Sequence, residues 1–187
     1  MRKSVKDFVG ICATSVPIQG PVFEFGSLQV KGQEGFADLR PYFPGKKYIG
    51  CDLQKGTGVD QILDAQRTGL PDESIGTAIC CDTLEHVEDF FSVFKELYRI
   101  LNPNGVLIVS TVMNFSIHEY PRDFWRFTPG GIDYLLKEFP IRLVASAGVK
   151  ENPHTVAGVG IKNKSVQTYS LKANLAVWEK RWFVKNQ

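Results

Sequence analysis

The sequence has 187 residues, of which 43% are apolar and 22% are charged, and its formal net charge is +2. These values are typical of one globular domain over residues 1–187 and leave no room for a second catalytic domain. The nearly balanced charge gives no electrostatic case for a nucleic-acid partner, and no apolar stretch approaches the ~20 residues that a membrane span needs.

The two ends of the chain differ from its middle. Residues 1–20 combine early basic residues with an apolar stretch, and the charges of Lys6 and Asp7 favour a short helical segment over a secretory leader. Residues 150–187 contain seven Lys or Arg against two acids. This imbalance favours a solvated basic extension at 162–187 over a binding patch.

Apolar runs alternate with amphipathic or turn-rich segments along the chain, which is typical of a mostly parallel sheet with helices on both faces. We therefore predict an α/β fold. The seven predicted strands lie at 22–25, 47–51, 61–63, 75–81, 106–112, 142–147 and 155–161.

Three further helices are predicted between these strands. The first covers about 33–42, although Pro41 favours an early end. The clearest covers 87–101, where apolar residues recur at steps of three and four, and the turn residues from Asn102 to Gly105 stop it. A last helix begins at Thr128, a good N-cap followed by proline.

The four cysteines show no C-x-x-C spacing, and most of them fall inside predicted strands. They are Cys12, Cys51, Cys80 and Cys81. We expect buried, reduced thiols and a cytoplasmic location.

Two carboxylates lie at the ends of neighbouring predicted strands, Glu24 in Val-Phe-Glu-Phe-Gly and Asp52 in Tyr-Ile-Gly-Cys-Asp. Parallel strands would bring both acids to the carboxyl edge of the sheet, where open α/β folds bind ligands. Asp52 follows Gly32 by 20 residues, a spacing near that of a ribose-binding acid. A complete G-x-G-x-x-G is missing, because Ser27 and Leu28 follow Gly26.

Each acid also has a structural interpretation. Asp52 and Asp64 are both placed to hold strand-end turns. Glu24 lies between two phenylalanines, and a carboxylate in such an apolar strand requires a hydrogen-bond partner even without a ligand.

An ordered series of motifs extends the pattern of these acids: Glu24-Phe-Gly26, Asp52, Asp64-Ala65, Cys81-Asp-Thr-Leu-Glu-His86 and Leu101-Asn-Pro-Asn-Gly105. In this order the chain resembles the class I S-adenosylmethionine-dependent methyltransferases, in their type 11-like form, over about residues 20–161. The resemblance implies a Rossmann-like three-layer sandwich whose seven-stranded, mostly parallel sheet has an antiparallel last strand.

The resemblance also implies S-adenosyl-L-methionine as the cofactor and a division of its contacts. Glu24 and Gly26 would form the turn beside the methionine end, Asp52 would bind the ribose hydroxyls, and Asp64 and Ala65 would contact the adenine. The full set of implied cofactor-binding residues is Glu24, Gly26, Ser27, Asp52, Leu53, Asp64, Ala65 and Cys81.

The segment from Ser116 to Thr128 follows the fifth strand, so it should overhang the same edge and receive the methyl acceptor. The predicted catalytic residues are His118, Tyr120 and His86, with His118 as the first candidate for a general base. Packing is the alternative for His86, and for Phe124, Trp125 and Phe127, while Asp123 and Arg126 are spaced to form an ion pair.

We expect a small-molecule or glycan-linked acceptor, and the sequence leaves the oligomeric state open. The three histidines are widely separated along the chain, so sequence spacing indicates no metal site.

Two other functions compete with methyl transfer. A non-catalytic S-adenosylmethionine-binding or regulatory domain would explain the altered glycine turn. A nicotinamide-dependent oxidoreductase is weaker, because the second fingerprint glycine and a Tyr-x-x-x-Lys pair are missing, and no phosphate-binding loop occurs.

Overall fold

The computed structural model describes residues 1–118 and 121–184, and its centre is one seven-stranded sheet. Its strands are β1 (Val22–Phe25), β2 (Tyr48–Asp52), β3 (Gln61–Ile62), β4 (Ile75–Cys81), β5 (Leu101–Val112), β6 (Ile141–Val149) and β7 (Asn152–Ile161). Their order is β3-β2-β1-β4-β5-β7-β6, and β7 runs antiparallel to both of its neighbours while the other pairs are parallel. The predicted sheet is therefore confirmed.

Four α-helices cover the sheet in two outer layers: α1 (Lys3–Ser15), α2 (Phe90–Ile100), α3 (Pro129–Leu135) and α4 (Tyr169–Trp182). Helices α2 and α3 bury their apolar residues on one face of the sheet, and α1 and α4 bury theirs on the other. Over the described ranges, no helix has the length and apolar character needed to cross a membrane.

Helix α4 corrects the expectation that the basic C-terminal part of the chain is solvated. Leu171, Leu175 and Trp178 recur on one helix face and are buried. The indole of Trp178 lies 5.6 Å from the Phe8 ring of α1, and its Nε1 donates to the carbonyl of Ser4 at 2.9 Å. The count of basic residues hid this stripe, because the charged residues of α4 are exposed and are interspersed with the three buried ones along the helix.

The helix predicted at 33–42 is also wrong. This part of the chain forms turns and then one short 3₁₀ helix, Arg40–Tyr42. Gly32 and Gly35 have φ angles of +86° and +73°, which a right-handed helix excludes. The buried side chains of Leu39 and Phe43 anchor the segment to the face that α1 covers.

The region around α2 agrees with its prediction except at the boundaries. The helix begins at Phe90, where the Asp89 carboxylate accepts from the backbone N–H of Ser92 at 3.1 Å. His86 therefore lies in a separate 3₁₀ turn, Leu84–His86, and does not open the long helix. β5 begins as early as Leu101, because the turn residues that follow it form an irregularity inside the strand.

The packing of α4 predicts a large cost for truncating its central indole. We expect Trp178→Ala to lower the free energy of unfolding by about 3 to 5 kcal/mol, because it leaves a cavity against α1 and removes a buried hydrogen bond. The matched control is Val177→Ala, whose side chain is 64% exposed and which should stay within about 0.5 kcal/mol of the parent. Equal denaturant midpoints for the two variants would contradict the packing.

Candidate active site

A cavity of about 630 Å³ opens at the carboxyl ends of the central strands. Its volume falls in the range of ~300 to 1,000 Å³ that is usual for small-molecule sites. It lies where β1 and β4 are neighbours, the position at which the strand order reverses and open α/β sheets bind ligands. The cavity is lined by all eight residues of the predicted cofactor set: Glu24, Gly26, Ser27, Asp52, Leu53, Asp64, Ala65 and Cys81.

The turn after β1 brings backbone to the wall of this cavity. The N–H groups of Gly26 and Ser27 both donate to the carbonyl of Cys51, at 2.8 and 3.0 Å. Gly26 has a φ of +85°, and a Cβ at this position would lie 2.0 Å from the hydroxyl oxygen of Thr83. The hydroxyl oxygen of Ser27 is buried and has no hydrogen-bond partner within the described residues.

Glu24 has the hydrogen-bond partner that its apolar strand requires. The residue is 4% exposed, and its carboxyl group accepts a hydrogen bond from the Tyr48 hydroxyl at 2.7 Å. Burial raises the pKa of Glu24 to about 7, because the charged form loses its hydration, and the Tyr48 hydrogen bond opposes this change only in part.

Asp52 and Asp64 hold turns as well as lining the cavity. The Asp52 carboxylate accepts from the N–H groups of Leu28 at 3.3 Å and Gln54 at 3.1 Å, and Asp64 accepts from that of Gln66 at 2.8 Å. The structural interpretation of these acids is therefore correct in part. A carboxylate offers about four lone-pair positions, so both acids retain capacity for ligand hydroxyl or amino groups.

The opposite wall carries a carboxylate that the sequence analysis did not single out. Glu85 is fully buried, and its Oε2 accepts from the Thr111 hydroxyl at 2.9 Å, while Oε1 has no partner among the described residues. Burial, together with the nearby charge of Asp82, raises the pKa of Glu85 to about 7. The sequence signal was weaker than for Glu24, because Glu85 lies between Leu84 and His86 and not between two apolar residues.

His86 and His118 meet beside Glu85 although 32 positions separate them in the chain. Both line the cavity, and their ring centroids lie 4.7 Å apart, edge to face. Sequence spacing therefore does not exclude a metal-binding cluster, because the loops after β4 and β5 converge in space. Tyr120, the third predicted catalytic residue, lies outside the described residues.

The rest of the predicted acceptor segment divides between cavity wall and core. Phe127 is buried, which agrees with the packing alternative, whereas Phe124 is 42% exposed and lines the cavity, so that alternative does not hold for Phe124. Trp125 packs against Phe90 and donates to the carbonyl of Val87 at 2.9 Å, away from the cavity lining. Asp123 and Arg126 form the predicted ion pair at 2.6 Å, which lowers the pKa of Asp123.

Comparison with known proteins agrees with the cavity and the sheet. The family model described as a methyltransferase domain matches residues 36–109. The chain is 35% identical over 91 residues to the ubiquinone biosynthesis O-methyltransferase of Histophilus somni. This matched region covers 48% of our chain and 34% of that relative. Over these parts of its length the chain is similar to methyltransferases.

Solved structures show the same methyltransferase fold. A SAM-dependent methyltransferase of Thermotoga maritima, described as a possible histamine N-methyltransferase, superposes with a TM-score of 0.62 at 19% identity, over 86% of this chain and 89% of its own. One from Archaeoglobus fulgidus gives a TM-score of 0.60 at 14% identity, over 75% and 85%. The chain spans about a third of one curated relative and 56% of a second.

The match to the methyltransferase domain covers only part of this candidate site. Asp52, Asp64 and Glu85 fall inside residues 36–109, whereas Glu24 and the acceptor segment after β5 lie outside that range. The roles of the individual cofactor-binding and catalytic residues therefore stay predictions.

The buried carboxyl of Glu24 predicts a specific pH dependence of stability. Folded Glu24 keeps its proton up to about pH 7, whereas a glutamate in an unfolded chain loses it near ~4.3, so its contribution to the free energy of unfolding falls as the pH rises between these values. Glu24→Gln removes this titration. Its stability relative to the parent should rise by about 3 kcal/mol from pH 4 to pH 8.

Denaturant unfolding of both proteins at several pH values measures this difference. Parallel curves of unfolding free energy against pH would show that Glu24 is not the titrating group.

Proposed function

We propose that this chain is an enzyme that transfers a methyl group from S-adenosylmethionine to a small-molecule or glycan-linked acceptor. The observation that carries the proposal is the shared cavity. Its walls combine the eight predicted cofactor residues with Glu85, His86 and His118, which face the same space from the other side. One cavity thus offers both a cofactor site and an adjoining acceptor site.

The cofactor part of the cavity has the donors and acceptors that S-adenosylmethionine requires. The unpartnered Ser27 hydroxyl and the close backbone of the Gly26 turn suit its polar methionine end. Asp52 and Asp64 offer carboxylate oxygens for the ribose hydroxyls and the adenine amino group. When bound, this cofactor supplies a methyl group activated by attachment to a sulfonium sulfur.

The chain itself contributes position and proton transfer. Holding the acceptor atom in line with the methyl group can supply about 7 to 11 kcal/mol of the barrier. The imidazoles of His86 and His118 line the cavity opposite the predicted cofactor residues, on a side that we call the acceptor wall. A ring nitrogen there can accept the proton of a hydroxyl group. The exposed ring of Phe124 adds an apolar surface at the same wall.

The names of the relatives favour different acceptor atoms. The Histophilus somni relative is described as an O-methyltransferase and the Thermotoga maritima protein as a possible N-methyltransferase. An acceptor atom cannot be carried over from either, and the residues of the acceptor wall decide it.

Ligand titration separates this function from its competitors. Calorimetry should show saturable binding of S-adenosylmethionine and S-adenosylhomocysteine and none of NADH, since the turn after β1 lacks the glycine pattern of a dinucleotide site. Binding of NADH alone would overturn the proposal. A domain that binds both sulfur ligands but produces no S-adenosylhomocysteine with any candidate acceptor would be the non-catalytic alternative.

Asp52→Asn tests the ribose contact. The amide keeps the side-chain shape and one acceptor oxygen, but it loses the charge that strengthens hydrogen bonds from hydroxyls, so S-adenosylhomocysteine affinity should fall about 10- to 100-fold. The matched control is Asp133→Asn, an exposed position on α3 that pairs with Arg142 outside the cavity. Equal affinity of a folded Asp52→Asn protein and its control would show that Asp52 does not hold the ribose.

A further inference from the structure

Three potential ligand groups converge on the acceptor wall. Glu85, His86 and His118 each place one ligand atom within 4.8 Å of the other two. A point therefore exists at about 2.8 Å or less from all three atoms, and closing this to the ~2.0 to 2.2 Å of metal–nitrogen and metal–oxygen bonds needs side-chain shifts of under an ångström.

Each histidine has an acceptor group beside its Nδ1, the kind of outer contact that metal-bound histidines usually make. Nδ1 of His86 donates to the carbonyl of Arg122 at 2.6 Å. Nδ1 of His118 donates toward the Asp123 carboxylate and the Ser116 carbonyl, both at 3.2 Å. An imidazole that donates through Nδ1 carries its lone pair on Nε2, and such an outer hydrogen bond to a carbonyl or carboxylate is what fixes a metal-ligating histidine.

The unpaired carboxylate of this wall also favours a cation at this point. Two neighbouring carboxylates already have arginine partners, since Asp82 pairs with Arg2 and Asp123 pairs with Arg126. Among the salt bridges of the described residues, Glu85 has none, and its Oε1 is buried without a hydrogen bond. Buried carboxylates are paired, protonated or coordinated to metals. A proton would satisfy Glu85 alone, whereas a cation would use all three ligand atoms.

We propose that Glu85, His86 and His118 bind one divalent transition-metal ion, and that the open positions of this ion receive a hydroxyl oxygen of the methyl acceptor. Two imidazoles and one carboxylate suit ions such as Mn²⁺, Co²⁺ or Zn²⁺ better than Ca²⁺ or Mg²⁺, because the latter two prefer ligand sets made of oxygen atoms. This inference rests on the methyltransferase function proposed above and names its acceptor class, a hydroxyl compound. With the ion bound, the ion activates the hydroxyl in place of the two imidazoles, because their nitrogens are then engaged and cannot accept its proton.

The chemistry of such an ion fits O-methylation. A divalent cation lowers the pKa of a bound hydroxyl, as it does for bound water, so the hydroxyl gives its proton to water near neutral pH. The oxygen then forms the new C–O bond with the methyl carbon. The C–S bond breaks, and the sulfur keeps its electron pair, which neutralises the sulfonium charge and leaves S-adenosylhomocysteine.

Metal titration of the chelator-stripped chain tests the site directly. We expect one Mn²⁺ to bind per chain, which the loss of the electron paramagnetic resonance signal of the free ion measures. Added Co²⁺ should give a visible absorption spectrum of the bound ion. His86→Ala, His118→Ala and Glu85→Gln should each weaken the affinity for Mn²⁺ by more than about 100-fold, since even outer-shell changes cost 10- to 100-fold. His118 is partly exposed, so its variant should fold even if Glu85→Gln does not.

The third histidine provides the matched control. His154 bonds Thr155 at 2.8 Å outside the cavity, so His154→Ala should bind Mn²⁺ like the parent. Absence of stoichiometric Mn²⁺ or Co²⁺ binding, or affinities unchanged in folded His86→Ala and His118→Ala, would overturn the metal site. S-adenosylhomocysteine binding measured on the same stripped samples separates the two proposals, because its retention with no metal binding contradicts only the metal site. Its loss as well would contradict the methyltransferase function.

Discussion

The parallel pairing of β1 with β4 at the centre of the sheet determines where a ligand can bind. Glu24 and Phe25 of β1 lie beside Ile79 and Cys80 of β4, yet the chain leaves β1 toward β2 on one side and leaves β4 toward β5 on the other. The two connections diverge at the carboxyl edge. Backbone does not fill the gap between them, and most of the cavity lining comes from the ends of β1 to β5 and the loops that follow these strands.

The same gap explains why the site contains costly groups. Glu24 and Glu85 are carboxyl groups buried at the ends of adjacent strands, and burial raises the pKa of each to about 7. Neither is placed for stability, since a buried acid with an incomplete set of partners opposes folding. The rest of the sheet offsets this cost, because its central strands are buried and apolar on both faces. The stability of the core thus compensates for the buried acids at the carboxyl edge.

Most of the fold followed from sequence because its strands are buried on both sides. Such strands read as continuous apolar runs, and the boundaries of β1 and β4 were predicted to the residue. The segment between β1 and β2 was not predicted, because two glycines in left-handed conformation override an apparently helical pattern. Helix α4 was missed because a count of charges carries no spacing, whereas its three buried residues recur along one face.

The candidate site divides in the same way. Acids at the ends of strands were predictable, since topology alone sends them to one edge, and all eight cofactor positions line the cavity. The contact of His86 with His118 depends on how two loops fold over that edge, and no local pattern records it. Glu85 offered only a weaker form of the argument that identified Glu24, because a histidine and not an apolar residue follows it.

Met1 and Arg2, the two residues that lead into the first turn of α1, line the cavity. The Arg2 guanidinium donates to Asp82 and to the carbonyl of His154, and the amino group of Met1 contacts Gln33 on the opposite wall. Release of this turn would admit bulk water to the cavity and remove the partner of Asp82 in one event. Amide hydrogen exchange in α1 should therefore report on occupancy of the cavity, with slower exchange whenever a bound molecule spans the space between Met1 and Asp82.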